Sequence, residues 1–348
     1  MKLMLNSTKP IYWNKKKKIF RCGNFPDTGK YIEYVEEVFA DIFELMTNFI
    51  DKEKLEKIIL SKYSIDKKDF EFVINHLIEQ NFVITMNKYK KLMSSKRYNR
   101  QDMYFYMLSG DLKSVNDYKN KKILILGLGG IGSIVAELLV RAGFLNFEII
   151  DYDRVELSNL IRQTAYYYQD VGNLKTSSLM KRMISINSEC HILCKNITIL
   201  SEQDVSQNIM AADFVICTLD KPIRLIRRII NNLCIKYNKP VIFAGFAEHV
   251  GMVGPFVVPS KSACLSCIAN KQSEKYLNNV INAPSFGPLC NIVASIVSSE
   301  VINYYVKFKS SNLIGCTLMI NMFDYSTNLI RWKKNESCKV CGDINDSQ

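Results

Sequence analysis

The chain has little of what would carry it into a bilayer or out of the cell. No apolar run approaches the roughly 18 residues that a membrane helix needs. Lys15 to Lys18 precede no long apolar stretch of the kind that marks a secretory leader. The expectation is a cytoplasmic protein with no membrane partner. Acids are scarce beside bases: 34 Asp and Glu face 46 Lys and Arg, a formal net charge of +12. That balance suits nucleic acid, but it also suits a triphosphate or an acidic peptide. The lysines are spread along the whole chain, so nucleic acid is not the expected partner. Only three histidines occur, and His249, the one expected near the site, is assigned no role.

Cysteine, by contrast, is plentiful. Eleven cysteines without an export signal argue against a disulfide framework. Four of them form two CxxC pairs, Cys264/Cys267 and Cys338/Cys341. Thiolates at that spacing converge on one tetrahedral metal, and four of them leave no open position, so the expected group is a structural Zn²⁺. A length of 348 residues, 48% hydrophobic and 23% charged, is that of a globular chain with room for two domains.

The segment from Lys121 to Gln163 carries the chemistry. An apolar run, Ile123 to Leu126, turns through Gly127, Gly129, Gly130 and Gly132 into a helical pattern with Val135, Leu138, Leu139 and Ala142. A second apolar run, Phe147 to Ile150, ends at Asp151 and Asp153. Strand, glycine turn, helix, strand, acid is the order of a phosphate cradle. Glycines let the backbone approach a phosphate, the helix start presents free N–H groups, and the acid accepts from ribose hydroxyls.

Residues 1–95 read as a separate small domain. Ile11 to Trp13 and Ile19 to Cys22 are short strands around a lysine-rich turn. A helical stripe starts at Tyr31 and runs through Ile32, Val35, Phe39, Ile42, Phe43 and Met46. Further helices are expected at Lys52 to Lys62 and through Phe70, Val73, Ile74, Leu77 and Ile78, then a strand from Phe82 to Thr85. This order resembles a winged helix, an α+β fold that binds DNA or holds peptides by strand addition. Residues 87–96 read as a linker. Residues 96–348 alternate strand and helix, an α/β, Rossmann-like domain with a mostly parallel sheet. Gly127, Asp151 and Asp220 all fall at strand ends, where such sheets collect ligands. A long apolar helix is expected from Phe286 to about Val306, and a polar crossing loop from Asn270 to Pro284.

GxGGxG, then Asp151 to Gln163 as DxDxVExSNLxRQ, then Val171 to Lys175 as VGxxK, then a strand-end Asp and two CxxC pairs, resembles the ThiF/MoeB/ubiquitin-activating superfamily. The resemblance covers about Arg97 to Cys341. Within it, the N-terminal domain, Thr218 to Pro222 and Val253 to Pro259 look most like the enzymes that modify microcin C and pantocin precursor peptides. It implies ATP and Mg²⁺ as cofactors. Asp151 would hold the ribose, with Asp153 beside it. Arg162 and Lys175 would neutralise phosphates, Asn159 and Gln163 would position the triphosphate, and Asp220 would hold Mg²⁺. Arg100, from Arg97-Tyr-Asn-Arg-Gln, would reach the partner's site across a homodimer. The implied reaction activates a carboxylate of a short precursor peptide, bound by the N-terminal domain, as acyl-AMP with release of pyrophosphate, in peptide-antibiotic biosynthesis. A MoeB/ThiF-like activator of a Gly-Gly sulfur carrier is the second reading. A winged-helix regulator that senses nucleotide is the third. The short tail after Cys341 leads us to expect no rhodanese or ubiquitin-like domain, and Cys290 reads as packing rather than a thioester nucleophile.

Overall fold

The computed structural model describes residues 1–24, 29–33, 35–110, 118–219, 223–268, 284–307 and 313–342. Asp220 and nearly all of the expected crossing loop lie outside them. Contacts divide the chain into two units, Met1–Val115 and Asn116–Gln348. The boundary drawn from sequence at residue 95 stands twenty residues earlier than this division.

The first unit runs β1 (Lys2–Leu5), β2 (Ile11–Asn14), β3 (Ile19–Cys22), β4 (Lys30–Ile32), α1 (Glu37–Leu45), β5 (Ile50–Asp51), α2 (Lys52–Lys62), α3 (Lys67–Glu79), β6 (Val83–Thr85), α4 (Met86–Leu92) and α5 (Asn99–Ser109). Two three-stranded sheets form, in the orders β5-β1-β6 and β2-β3-β4. The helical stripes read from sequence make the core: Ile42, Phe43, Leu55, Ile59, Phe70, Ile74 and Leu77 are all buried. Phe20 of β3 stacks between Trp13 and Phe43, with ring centroids 4.3 and 4.0 Å away. Asp66 caps α3, its carboxylate accepting from the Asp69 N–H at 2.7 Å. Two expectations are corrected. Tyr31 and Ile32 pair with β3 as β4 rather than opening the helix, which starts at Glu37. The supposed linker is largely α4, capped by the Thr85 hydroxyl and pinned by buried Leu92.

The second unit runs β7 (Lys122–Leu126), α6 (Gly132–Ala142), β8 (Asn146–Ile150), α7 (Lys175–Ile186), β9 (His191–Lys195), α8 (Ser206–Ala211), β10 (Phe214–Cys217), α9 (Ile223–Lys236), β11 (Val241–Ala247), β12 (Val250–Val257), α10 (Leu265–Ile268), α11 (Gly287–Val306), β13 (Cys316–Asn321) and β14 (Thr327–Arg331). Its sheet has eight strands in the order β14-β13-β12-β11-β10-β7-β8-β9. From β9 to β11 every pairing is parallel, and β12 to β14 add on antiparallel. The fold is the expected Rossmann-like α/β arrangement. Ile123 to Leu126 and Phe214 to Cys217 are wholly buried, as continuous apolar strands covered on both faces should be. The chain leaves β7 toward β8 on one side, while β10 lies on the other. That reversal opens a crevice beyond the strand ends.

Among the described residues one helix, α11, has the length and apolar composition to cross a membrane, against the reading that no apolar run nears that length. The core accounts for its composition. Leu289, Val293, Val297 and Val301 are buried, and the helix packs on α6, β11 and β12.

Candidate active site

The glycine turn is built by close approach. Gly127 has φ +90°, and a Cβ there would meet Leu219 N and Thr218 Oγ1 at 3.0 Å. At Gly132 a Cβ would lie 1.9 Å from the Gly127 carbonyl oxygen, so no side chain fits. At Gly130 it would meet Cys290 Sγ at 2.9 Å, whereas at Gly129 nothing lies within 4 Å. The turn is therefore packed on three glycines and open at Gly129.

Asp151 buckles this turn to the next strand. One carboxylate oxygen accepts the Leu128 N–H at 2.6 Å and the other accepts the Asp153 N–H at 2.8 Å. Burial pushes its carboxyl above the usual range, while nearby Lys175 and the two N–H groups pull it back. Two residues that no sequence motif assigned complete the buckle. Thr218 Oγ1 donates to the Gly127 carbonyl at 2.9 Å, and the buried Tyr166 hydroxyl donates to the Leu128 carbonyl at 2.9 Å. Their signal was position only, a hydroxyl at the end of β10 and a tyrosine just after the RQ pair.

The loop after Asp153 folds back over the turn. Asn159 is buried, and its side-chain oxygen accepts the Glu156 N–H at 3.2 Å. Its main-chain carbonyl accepts from Arg162 and Gln163. Half-buried Arg162 donates to the Ser158 carbonyl at 3.2 Å. Gln163 is buried, and its Oε1 has no hydrogen-bond partner. Lys175, the first residue of α7, is 5% exposed and donates to Asp153 Oδ2 at 2.8 Å. Cys290 backs Gly130 from α11, and burial pushes its thiol up against the pull of Arg162. It is a packing residue without thiolate character.

The second unit thus gathers Gly127, Gly129, Gly130, Gly132, Asp151, Asp153, Asn159, Arg162, Gln163 and Lys175 around one crevice. Asp151 also lines a small cleft together with Ile150, Tyr152, Ile197, Thr198, Ile199, Leu219 and Ile226. These residues fit a nucleoside triphosphate. There is open space over Gly129, a buried acceptor without a donor at Gln163, an acid and two cations. Arg100 is exposed on the first turn of α5, in the other unit. Asp220 lies outside the described residues.

The four cysteines of the CxxC pairs also meet. Their sulfurs all lie within 4.8 Å of one another, with Cys264–Cys267 at 3.9, Cys264–Cys338 at 3.7 and Cys267–Cys341 at 3.4 Å. A tetrahedral zinc with Zn–S near 2.3 Å would set sulfurs about 3.8 Å apart, so the set fits that ion. Burial raises the Cys338 thiol, but the N–H groups of Val340 and Cys341 together with the Cys267 and Cys264 sulfurs outweigh it and bring it down to about 7. Leu265 N–H, one residue past Cys264, donates to buried Asn231 Oδ1 at 2.8 Å and fastens the cluster to α9.

Among curated proteins, the molybdopterin-synthase adenylyltransferase of Escherichia coli (strain K12) is 28% identical over 247 residues, 71% of this chain and 96% of that protein. The adenylyltransferase and sulfurtransferase MOCS3 of Caenorhabditis briggsae is 28% identical over 251 residues, 71% of this chain but 60% of its own length. Among solved structures, E. coli MccB with ATP superposes at a TM-score of 0.82 and 25% identity, over 99% of this chain and 100% of that one. The microcin C7 biosynthetic enzyme MccB in complex with N-formylated MccA gives 0.82 at 23%, over 98% and 100%. PaaA gives 0.76 at 20%, over 94% and 99%. These last two likenesses establish the fold. The ThiF family itself matches residues 98–340, a span that opens just before α5 and closes within the second CxxC pair, and the chain belongs to that family.

Proposed function

We propose that the chain is an ATP-dependent adenylyltransferase that activates a carboxylate of a short, ribosomally made precursor peptide. The carboxylate oxygen attacks the α-phosphorus of ATP. The bond to the β-phosphate oxygen breaks, leaving acyl-AMP and pyrophosphate. Little covalent work falls to the protein in such a transfer, so positioning and charge stabilisation carry it.

Asp151 holds the ribose through the lone pairs left over from its two main-chain bonds. Gly129 and Gly130 present backbone to the phosphates, and Arg162 and Lys175 neutralise them. Lys175 leaves Asp153 for the α-phosphate. Gln163 Oε1 accepts from the nucleotide, and Asn159 fixes the loop that carries Arg162. Asp220 would hold Mg²⁺, which would supply positive charge to the phosphates. Arg100 serves the site of the second copy in a homodimer.

One observation favours a peptide over a carrier protein. The likeness to MccB spans 99% of the chain, including the first unit, whereas the E. coli molybdopterin-synthase relative aligns with 71%. A small α+β unit with short strands can hold a peptide by main-chain pairing. The sulfur-carrier reading rests on the names of the curated relatives and keeps the same chemistry with a Gly-Gly carrier terminus. Mass spectrometry separates the two. Any small peptide encoded in the DNA flanking this gene, incubated with the enzyme and Mg-ATP, should gain an adenylyl group or a product derived from it. Turnover with a Gly-Gly carrier and none with the peptide would reverse the order of the readings.

A further inference from the structure

A charge outside the nucleotide set lacks a counter-ion among the described residues. Arg227, on the second turn of α9, is half-buried, and its Nη2 donates to the Ala244 carbonyl at 3.2 Å. Its Nε is buried and has no hydrogen-bond partner. No carboxylate pairs with it among the described residues, whereas Lys122, Lys175 and Arg182 each have one. Cys217 lies near enough for the guanidinium to favour its thiolate, yet burial holds that thiol up at about 11. It stays neutral and supplies no charge. A guanidinium taken out of water without an anion is costly.

Its place gives the cost a use. The β10–β11 pairing ends at Cys217 and Phe243, so Ala244 and Gly245 stand level with Thr218 and Leu219, beyond the strand end. Leu219 in turn touches the glycine turn at Gly127. Gly127 just past β7, Leu219 two residues past β10 and Gly245 in β11 thus follow three adjacent strands, about 10 Å from first to last at roughly 4.8 Å per strand. A Cβ on Gly245 would stand 3.0 Å from Arg227 Nη2, so that glycine leaves the room the guanidinium occupies. The cation sits against β11, at the level of Thr218 and Leu219 just past β10.

We propose that Arg227 receives the carboxylate of the acceptor substrate and orients it toward the α-phosphate, with Gly245 as the gap that admits the guanidinium. The proposal rests on the adenylyltransferase reading and adds an acceptor residue to it. A planar guanidinium matches a carboxylate in two parallel hydrogen bonds and remains charged at every working pH.

The test uses the full chain and N-acetylglycine, which carries the carboxylate of any peptide C-terminus, with N-acetylglycinamide as its neutral counterpart. Binding is read by calorimetry on enzyme saturated with a non-hydrolysable ATP analogue. The wild type should bind the acid saturably and the amide weakly. Arg227→Gln should weaken the acid at least about tenfold, as loss of a charge-assisted hydrogen bond does. Arg227→Lys should recover part of that. Gly245→Ala keeps the charge but displaces it, and should give an intermediate loss. Affinity for the ATP analogue should stay within about twofold throughout. Equal binding of the acid by wild type and Arg227→Gln overturns the assignment, and so does absent binding in the wild type, or loss of nucleotide affinity in step with the acid. If the wild type fails to bind the ATP analogue at all, the adenylyltransferase reading itself falls, which is a separate result.

Discussion

The carboxylate of Asp151 takes the Leu128 N–H at 2.6 Å, so the residue assigned to the ribose also closes the glycine turn. Asp151→Asn replaces one acceptor by a donor against an N–H. Nucleotide affinity should fall about 10–100-fold, the scale of a lost charged hydrogen bond, as measured by calorimetry. The pH dependence follows from the raised carboxyl. Its contribution to stability is fully present below the usual aspartate pKa of about 3.9 and is lost as pH rises through the higher folded value. The stability of wild type relative to Asp151→Asn should therefore decline as the pH climbs from about 4. Denaturant midpoints across that range check the sign, and a rising difference would contradict it.

Lys175 and Asp153 form an ion pair at 2.8 Å in which the lysine is buried and the acid is 43% exposed. Lys175→Met leaves Asp153 to water, so the melting temperature should move by no more than about 4 °C. Acceptor-dependent pyrophosphate exchange should drop at least about 100-fold, because a transition-state cation is gone. Exchange within tenfold of wild type would remove Lys175 from the phosphate set.

The four sulfurs call for a metal measurement. About one zinc per chain should be found by elemental analysis. Cys338→Ser should lower the melting temperature and, through Leu265 and Asn231, loosen α9 in hydrogen exchange. A stable, metal-free preparation would contradict the site.

Arg100 and Asp220 are separated by a mixing experiment. Arg100→Ala and Asp220→Ala should each be nearly inactive alone. If Arg100 serves the partner's site, each mixed dimer has one site with both lesions and one intact. Subunit exchange should then restore up to about a quarter of wild-type activity. No recovery after exchange is proven with tagged chains would place Arg100 in its own chain's site or in neither.

Much of this was legible in the sequence because the signals are local. The glycine spacing, the apolar runs of β7, β8 and β10, and the helical stripes of α2 and α3 each follow from neighbouring residues. The CxxC pairs announce a metal by composition alone. Local signals also misled. Tyr31 and Ile32 continue a helical stripe but pair across β3, since strand pairing depends on a partner elsewhere in the chain. The lysines of α4 read as linker because a single buried Leu92 holds that helix.

Tertiary structure alone decided what touches what. β1 lies between β5 and β6, strands close to fifty and eighty residues further on, and short-range pattern carries no such pairing. The Tyr166 and Thr218 hydroxyls meet carbonyls 38 and 91 residues away. Cys290 fills the space that Gly130 leaves, and Arg227 fills the space that Gly245 leaves. Sequence determines which groups are available and how each segment folds on itself. Close packing of distant segments determines which glycine must stay bare, which acid is buried, and which cation is left without a carboxylate among the described residues.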